Sequence, residues 1–303
     1  MIPVLRIGTR GSALALAQCG HVARFLEAAG VCERAELVTI VTTGDRITDR
    51  SLALEGGKGL FIKELEEALL DGRVDCAVHS LKDMPAELLP EFFLGTILPR
   101  EDARDVLFGA TSVAALPQGA VVGTSSLRRG AQLLYRRRDL RVVTLRGNVG
   151  TRLAKLADPT SGIDATLLAA AGLARLGLEH SGAPLDPSEM LPAVGQGTLA
   201  VECLAARESL AAHLAAVAHR DTEVRASAER AFLAALGGSC TTPVAAYAEA
   251  VSSGIRLRAL IAHPDGSAVV AGERLALGAD AARAGADLAR ELLAGGGRAL
   301  LGL

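Results

Sequence analysis

The sequence predicts an α/β fold that ends in a small α+β domain, on three observations. Short β-branched runs alternate with Ala- and Leu-rich stretches, the pattern of βαβ units. Past residue 219 the alternation stops, and one long helix is followed by three strand-like runs in succession. The chain has 303 residues, which at ~100–200 residues per domain supports two or three cores.

In chain order, Val4–Gly8 reads as a strand, Ser12–Ala28 as a helix and Glu36–Val41 as a strand. Gly59–Leu70 follows as a helix, with strands at Cys76–His79 and Phe92–Leu98. The charged segment Pro99–Arg104 breaks the pattern and marks a crossover into a second unit that begins near Asp105. Strands are expected there at Val121–Gly123, Val142–Leu145 and Ala165–Leu168, and helices at Leu127–Tyr135, Val149–Leu156 and Ala169–Leu176. A proline-bearing loop covers Pro184–Pro192, before a short strand at Leu199–Glu202 and a helix at Ser209–Ala218. The helix over Thr222–Leu236 stops at Gly237-Gly238, a glycine terminator. Strands at Val244–Glu249, Ile255–Ile261 and Ala268–Leu275 are joined by turns at Ser253-Gly254 and Asp265-Gly266, the second a strong hairpin signal. A helix near Ala279–Leu293 closes the chain, and domain boundaries fall near 99 and 219. One internal echo links the two α/β units. Gly8-Thr9-Arg10-Gly11-Ser12, leading to Gln18, is matched by Gly123-Thr124-Ser125-Ser126, leading to Gln132.

Composition removes several function classes. A net charge of −2 with 22% charged residues fits neither a polybasic binder nor an acidic disordered chain. Tryptophan is missing and aromatics total 3%, which leaves little for stacking bases or sugars, so no nucleic-acid partner is expected. The five cysteines form no C-x-x-C, which argues against a disulfide framework or zinc ribbon and for a reducing compartment. Arginines interrupt the apolar N-terminal stretch, unlike a signal peptide. No apolar run approaches the ~18–20 residues of a membrane span. A cytoplasmic location without a membrane partner is the expectation.

Familiar catalytic signatures are missing too. Glu55-Gly56-Gly57-Lys58-Gly59 lacks the hydroxyl of a phosphate-binding loop, and no G-x-G-x-x-G, H-E-x-x-H or G-x-S-x-G occurs. With six scattered histidines, no metal site is expected. What the chain has is cations where strands feed helices. Arg10 ends the first strand, Lys58 sits among glycines, and Lys82-Asp83 follows the strand ending at His79. Arg128 and Arg129 open the helix after Thr124-Ser125-Ser126, and Arg146 and Arg152 flank a Gly-Asn-Val-Gly segment. From Gly123 to Arg152 there are eight arginines and one acid, Asp139. Arg136, Arg137, Arg138 and Arg141 read as a solvated basic face. The others lie at carboxyl ends of strands, where open α/β sheets bind ligands, and guanidinium forks suit carboxylates and phosphates. A small polyanion is the expected ligand. Asp83 is either a structural cap or a carboxylate that steadies positive charge and moves a proton in a cationic site. Cys240, in a small-residue loop, is either structural or an accessible nucleophile; the other four cysteines fit core positions.

Together these stretches closely resemble the porphobilinogen deaminases, also called hydroxymethylbilane synthases. The matching segments are Arg6–Gln18, Gly56–Glu66, His79–Pro85, Val122–Arg129, Leu145–Leu153, Ala171–Leu178, Leu191–Glu202 and the Cys240 loop, spanning nearly the whole chain in the family's order. The resemblance implies that four porphobilinogen molecules are joined head to tail with loss of ammonia. They would grow on a dipyrromethane cofactor held by a thioether at Cys240, and the linear tetrapyrrole would then be hydrolysed off. It implies two periplasmic-binding-protein-like doubly wound domains, 1–98 with 197–218 and 99–196, and an α+β domain over 219–303. Arg10, Ser12, Lys82, Thr124, Ser125, Ser126, Arg128, Arg129, Arg146, Arg152 and Arg175 would bind cofactor and substrate carboxylates. Lys58 and Phe61 would sit in a flap, Gln196 would orient the ligand from the hinge, and Asp83 would be the catalytic carboxylate. A monomer, with handover to uroporphyrinogen-III synthase, is also implied.

Two departures stand out. Leu54 occupies a position that is lysine in many relatives, and the cysteine loop reads Gly-Gly-Ser-Cys rather than Gly-Gly-Cys. A rival reading is a non-catalytic anion-binding protein of the transporter-receptor type, which needs arginines but has no use for Asp83 or Cys240.

Overall fold

The computed structural model describes residues 1–42, 62–178, 182–237 and 242–303. Its strands and helices follow the chain as β1 (Ile2–Arg10), α1 (Ala13–Ala28), β2 (Cys32–Ile40), α2 (Lys63–Leu70), β3 (Cys76–Ser80) and β4 (Phe92–Ile97). Next come β5 (Asp105–Phe108), β6 (Val121–Gly123), α3 (Leu127–Arg136), β7 (Arg141–Val143), α4 (Val149–Ala157), β8 (Ala165–Ala169), α5 (Ala170–Arg175) and β9 (Ala183–Pro184). The remainder is β10 (Leu199–Leu204), α6 (Glu208–Ala216), α7 (Arg220–Ala235), β11 (Val244–Val251), β12 (Gly254–Ala262), β13 (Val269–Ala276), α8 (Ala281–Leu292) and α9 (Arg298–Leu301). Two compact units result, Met1–Glu101 with Thr198–Glu223, and Asp102–Gly197 with Val224–Leu303.

The first unit is built on a five-stranded sheet of order β2-β1-β3-β10-β4. β1 pairs in parallel with β2 and β3, while β10 runs antiparallel between β3 and β4. Strand alternation sends Leu5, Ile7, Cys76, Val78, Val201 and Cys203 to a core shared with α1 and α6. The opposite face, through Ile40 and Ala77, packs on Leu65, Ala68 and Leu69 of α2. Helices therefore cover both faces, which is what a largely parallel sheet requires.

The second unit repeats the plan. Its sheet order is β7-β6-β8-β5-β9, with β6 parallel to β7 and β8, and β5 antiparallel between β8 and β9. Leu133 of α3 joins Leu107, Val122 and Leu167 on one face, and Leu173 of α5 joins Val106, Phe108 and Leu168 on the other. The same unit holds the antiparallel sheet β11-β12-β13. Ala245, Leu260 and Ala262 of that sheet pack against Ala131 of α3 and Leu191. The expected α/β class is present: two five-stranded sheets with helices on both faces, and a three-stranded antiparallel sheet toward the C-terminus.

Some elements differ from expectation. The Asp105–Phe108 strand was not expected, nor was β9 inside the proline-bearing loop, and the two pair with each other. The strand expected at Val142–Leu145 is shifted to Arg141–Val143. Of the helix expected at Gly59–Leu70, residues 59–61 lie outside the described residues, and the helix starts at Lys63. Arg137 is not a solvated face residue. Its guanidinium pairs with Asp139 and donates to the carbonyls of Val113, Ala114, Leu116 and Pro117, closing the loop before β6.

Gly285 on α8 marks a close helix approach. A Cβ there would lie 2.0 Å from the carbonyl oxygen of Ala228 on α7. A backbone oxygen cannot move aside as a side chain can, so Gly285→Ala should push the helices apart. We expect a loss of about 1–3 kcal/mol, as for other overpacked contacts, visible as a lower unfolding midpoint in thermal denaturation.

Candidate active site

In the first unit the site residues gather where β1 and β3 end. Ser12 caps α1, its Oγ accepting from the Ala15 amide at 3.2 Å. That bond uses a lone pair and leaves the hydroxyl proton for a ligand. Arg10, the last residue of β1, is half-buried beside this helix N-terminus. After β3 the chain makes one tight helical turn, Leu81–Asp83. Leu81 and Met84 are buried and pin that turn, and the Leu81 amide donates to Thr198 O at 2.9 Å. Between these anchors Lys82 is half-buried and Asp83 exposed, so the carboxylate is fixed by its backbone and accessible at its tip.

Beneath that turn lies a polar pair to which sequence reasoning gave no role. His79 Nε2 lies 2.9 Å from Glu202 Oε2, both side chains buried, on the neighbouring antiparallel strands β3 and β10. Burial, and then the Glu202 charge, raise the pKa of Glu66 above the ordinary carboxylate value. Ser80 Oγ accepts from Gln18 Nε2 at 2.9 Å, tying α1 to the end of β3.

The second unit carries the arginine cluster. Thr124-Ser125-Ser126 links β6 to α3, and its hydroxyls serve differently. Ser126 caps α3 and Thr124 Oγ1 accepts from the Ser126 amide, so both keep a proton to donate, whereas Ser125 donates to Leu145 O at 2.8 Å. Gly123 is required there, since a Cβ would meet the Leu145 side chain at 2.8 Å. Arg146 and Arg152 are half-buried, and Arg152 Nε donates to Gly147 O at 2.9 Å. Arg175, at the end of α5, reaches Gly197 O at 3.4 Å.

Arg128 and Arg129 are 5% and 6% exposed, and both close on the fully buried carboxylate of Asp105. Asp105 Oδ2 accepts from Arg128 Nη1 at 2.7 Å, and Oδ1 accepts from Arg129 Nε at 3.1 Å and Nη2 at 2.7 Å. Arg128 also donates to Leu191 O at 2.7 Å and Arg129 to Leu167 O at 2.8 Å. Gln196, 1% exposed, donates to Ala103 O and to Asp105 Oδ1, and its Oε1 faces Arg128 Nη2 at 3.5 Å. Burial alone would raise the Asp105 carboxyl, yet the two guanidiniums hold it well below the usual carboxylate range. Burial lowers Arg128 despite Asp105, and burial followed by repulsion from Arg129 lowers Arg152. Two buried cations thus share one carboxylate, and three of the five N–H groups of each guanidinium are taken. The remaining charge and donors suit a carboxylate-bearing ligand.

Asp105 was missed as a site residue. Its signal was a lone acid opening an apolar run, Asp105-Val106-Leu107-Phe108, obscured by the charged residues before it. Lys58, Phe61, Cys240 and Leu54 lie outside the described residues. Among the described residues there is no group of three or more His, Cys, Asp or Glu able to hold a metal ion, and no helix is long and apolar enough to cross a membrane.

Residues 5–212 match the family model "Porphobilinogen deaminase, dipyromethane cofactor binding domain", and residues 224–294 match "Porphobilinogen deaminase, C-terminal domain". A porphobilinogen deaminase of Paracoccus denitrificans is 52% identical over 95% of this chain and 93% of its own length. One from Syntrophomonas wolfei is 47% identical over 98% and 97%. Among solved structures, the periplasmic VFT2 domain of BvgS from Bordetella pertussis aligns with 71% of this chain and 86% of its own at 15% identity. Its TM-score is 0.42. Two family models in tandem and relatives matched along nearly their whole length leave one conclusion: this chain belongs to the porphobilinogen deaminase family.

Proposed function

We propose that this chain condenses four porphobilinogen molecules head to tail, releasing ammonia at each addition and finally hydrolysing off hydroxymethylbilane. The dipyrromethane cofactor, attached through Cys240, supplies the primer pyrrole on which the chain is extended. Each pyrrole brings an acetate and a propionate, so the bound chain gains two negative charges per cycle. The observation that carries the reading is the buried Arg128–Arg129 pair with its single counter-carboxylate, which suits a polycarboxylate. Arg10, Lys58, Lys82, Arg146, Arg152 and Arg175 add cationic contacts, and Ser12, Thr124 and Ser126 hydroxyl donors. Ser125 contributes acceptor lone pairs, Phe61 shields the ligand, and Gln196 acts through the arginines.

In each addition the aminomethyl C–N bond breaks, ammonia leaves, and the methylene carbon bonds to the α-carbon of the preceding pyrrole, which then loses its proton. Asp83 steadies the transient positive charge on the pyrrole and accepts that proton. For function we divide the chain into domain 1 (1–98 and 197–218), domain 2 (99–196) and domain 3 (219–303, bearing Cys240). We propose a cytoplasmic monomer that passes its product to uroporphyrinogen-III synthase.

The test pairs intact-protein mass spectrometry with turnover. A mass above that of the bare chain, and ammonia release from porphobilinogen, are expected; a bare mass with inert porphobilinogen would sink the reading. Arg128→Leu and Arg129→Leu should each block cofactor loading or raise KM by about tenfold or more, since a charged hydrogen bond contributes about 1.5–3 kcal/mol.

A further inference from the structure

Asp105 is the first residue of β5 and has no exposed surface, yet four donors converge on it. Beyond the three guanidinium contacts, Gln196 Nε2 lies 3.0 Å from Oδ1 and 2.7 Å from Ala103 O. Each arginine has a second anchor independent of Asp105, the carbonyl of Leu191 for Arg128 and of Leu167 for Arg129. Asp105 is therefore not the sole determinant of where the guanidiniums sit. What it alone supplies is charge: with it the buried group carries one surplus positive charge, and without it two.

We propose that Asp105 is a resident counter-ion that sets how tightly the Arg128–Arg129 pair holds an anion, offsetting one buried cation and leaving one for the ligand. This rests on the reading that the pair binds ligand carboxylates. A site that must hold a growing polyanion, shift it between additions and release it works best at intermediate affinity. Two uncompensated guanidiniums would trap the chain, and a second resident carboxylate would reject it. Asp105 acts through the arginines and is a positioning residue. Gln196 shares its carboxylate and so moderates its hold on them.

Asp105→Asn keeps the shape and both carbonyl anchors while removing the charge. In the holoenzyme, KM for porphobilinogen should fall about tenfold, kcat should fall by at least as much as release slows, and KM should become more sensitive to NaCl. A second readout needs no turnover. With inorganic phosphate as probe, the unfolding temperature of the variant should rise more than that of the wild type, because an added anion replaces the missing one. A merely structural Asp105 would lower stability but leave KM, its salt dependence and the phosphate response at wild-type values, and that result overturns the proposal. Gln196→Met guards against misfolding of the first variant. Removing a donor that competes for Asp105 lets the carboxylate bind the arginines more tightly, so KM should rise about threefold, opposite in sign; an unchanged KM counts against the proposal. If Arg128→Leu and Arg129→Leu leave loading and KM unchanged, the underlying reading falls. If those variants behave as expected and Asp105→Asn does not, only the role of Asp105 falls.

Discussion

Asp83→Asn is expected to reduce kcat on the order of 10³-fold or more while leaving the cofactor attached. The turn that carries Asp83 is held by buried Leu81 and Met84 and by the Leu81 amide on Thr198 O, none of which involves the Asp83 side chain. Asparagine should therefore sit in the same place with nearly the same volume, and stability should change little, as is usual for an exposed side chain. What disappears is negative charge and proton affinity. Removing a single group that stabilises developing charge costs about 10²–10³ in rate, and proton transfer is worth about 10²–10⁴. Asp83 is asked to do both, so the losses compound. The measurement is ammonia release from porphobilinogen on protein whose mass shows the cofactor in place. Near-normal turnover on loaded protein would remove Asp83 from the mechanism.

How much of this was legible in the sequence differs from residue to residue, for physical reasons. Helix starts were legible because caps are local. Ser12 and Ser126 precede their helices and bond to amides three residues on, so strand, cap and helix read off one short window. The echo between those windows reflects equivalent places in the two sheets, since each leads from the central strand of a parallel trio into a helix. Strand order was not legible from periodicity. β10 enters the first sheet from more than a hundred residues downstream of β4, and only the resemblance suggested that the chain returns. β5 was missed because four residues after a charged segment make too short a period to register.

Charge was the hardest to read. Arg128 and Arg129 read as ligand-binding cations at a strand end, but nothing near them in sequence showed that they are buried on a shared carboxylate, Asp105, more than twenty residues upstream. Arg137 looked solvated, but its planar fork meets several carbonyls of one loop. In both cases residue type was informative and local pattern was not. The partner that decides burial is brought in by tertiary structure.

Cys240→Ser is expected to yield a chain of bare mass with no detectable turnover, the second large effect. A cysteine thiol ionises to a few per cent near neutral pH and the thiolate is a strong nucleophile, whereas a serine hydroxyl without an adjacent base stays protonated. Oxygen at this position therefore should not capture the electrophilic carbon of the primer. Nor can another thiol take over. Cys19, Cys32, Cys76 and Cys203 are buried in the first unit's core. Burial pushes the Cys19 and Cys203 thiols up to about 12 and raises those of Cys32 and Cys76 as well. At neutral pH a thiol at that value is ionised only about once in 10⁵ molecules, and the packing around it admits no pyrrole. Intact mass together with peptide mapping makes the check. A pyrrole adduct on any other cysteine, or turnover by the bare serine variant, would show that priming does not require a thioether at residue 240.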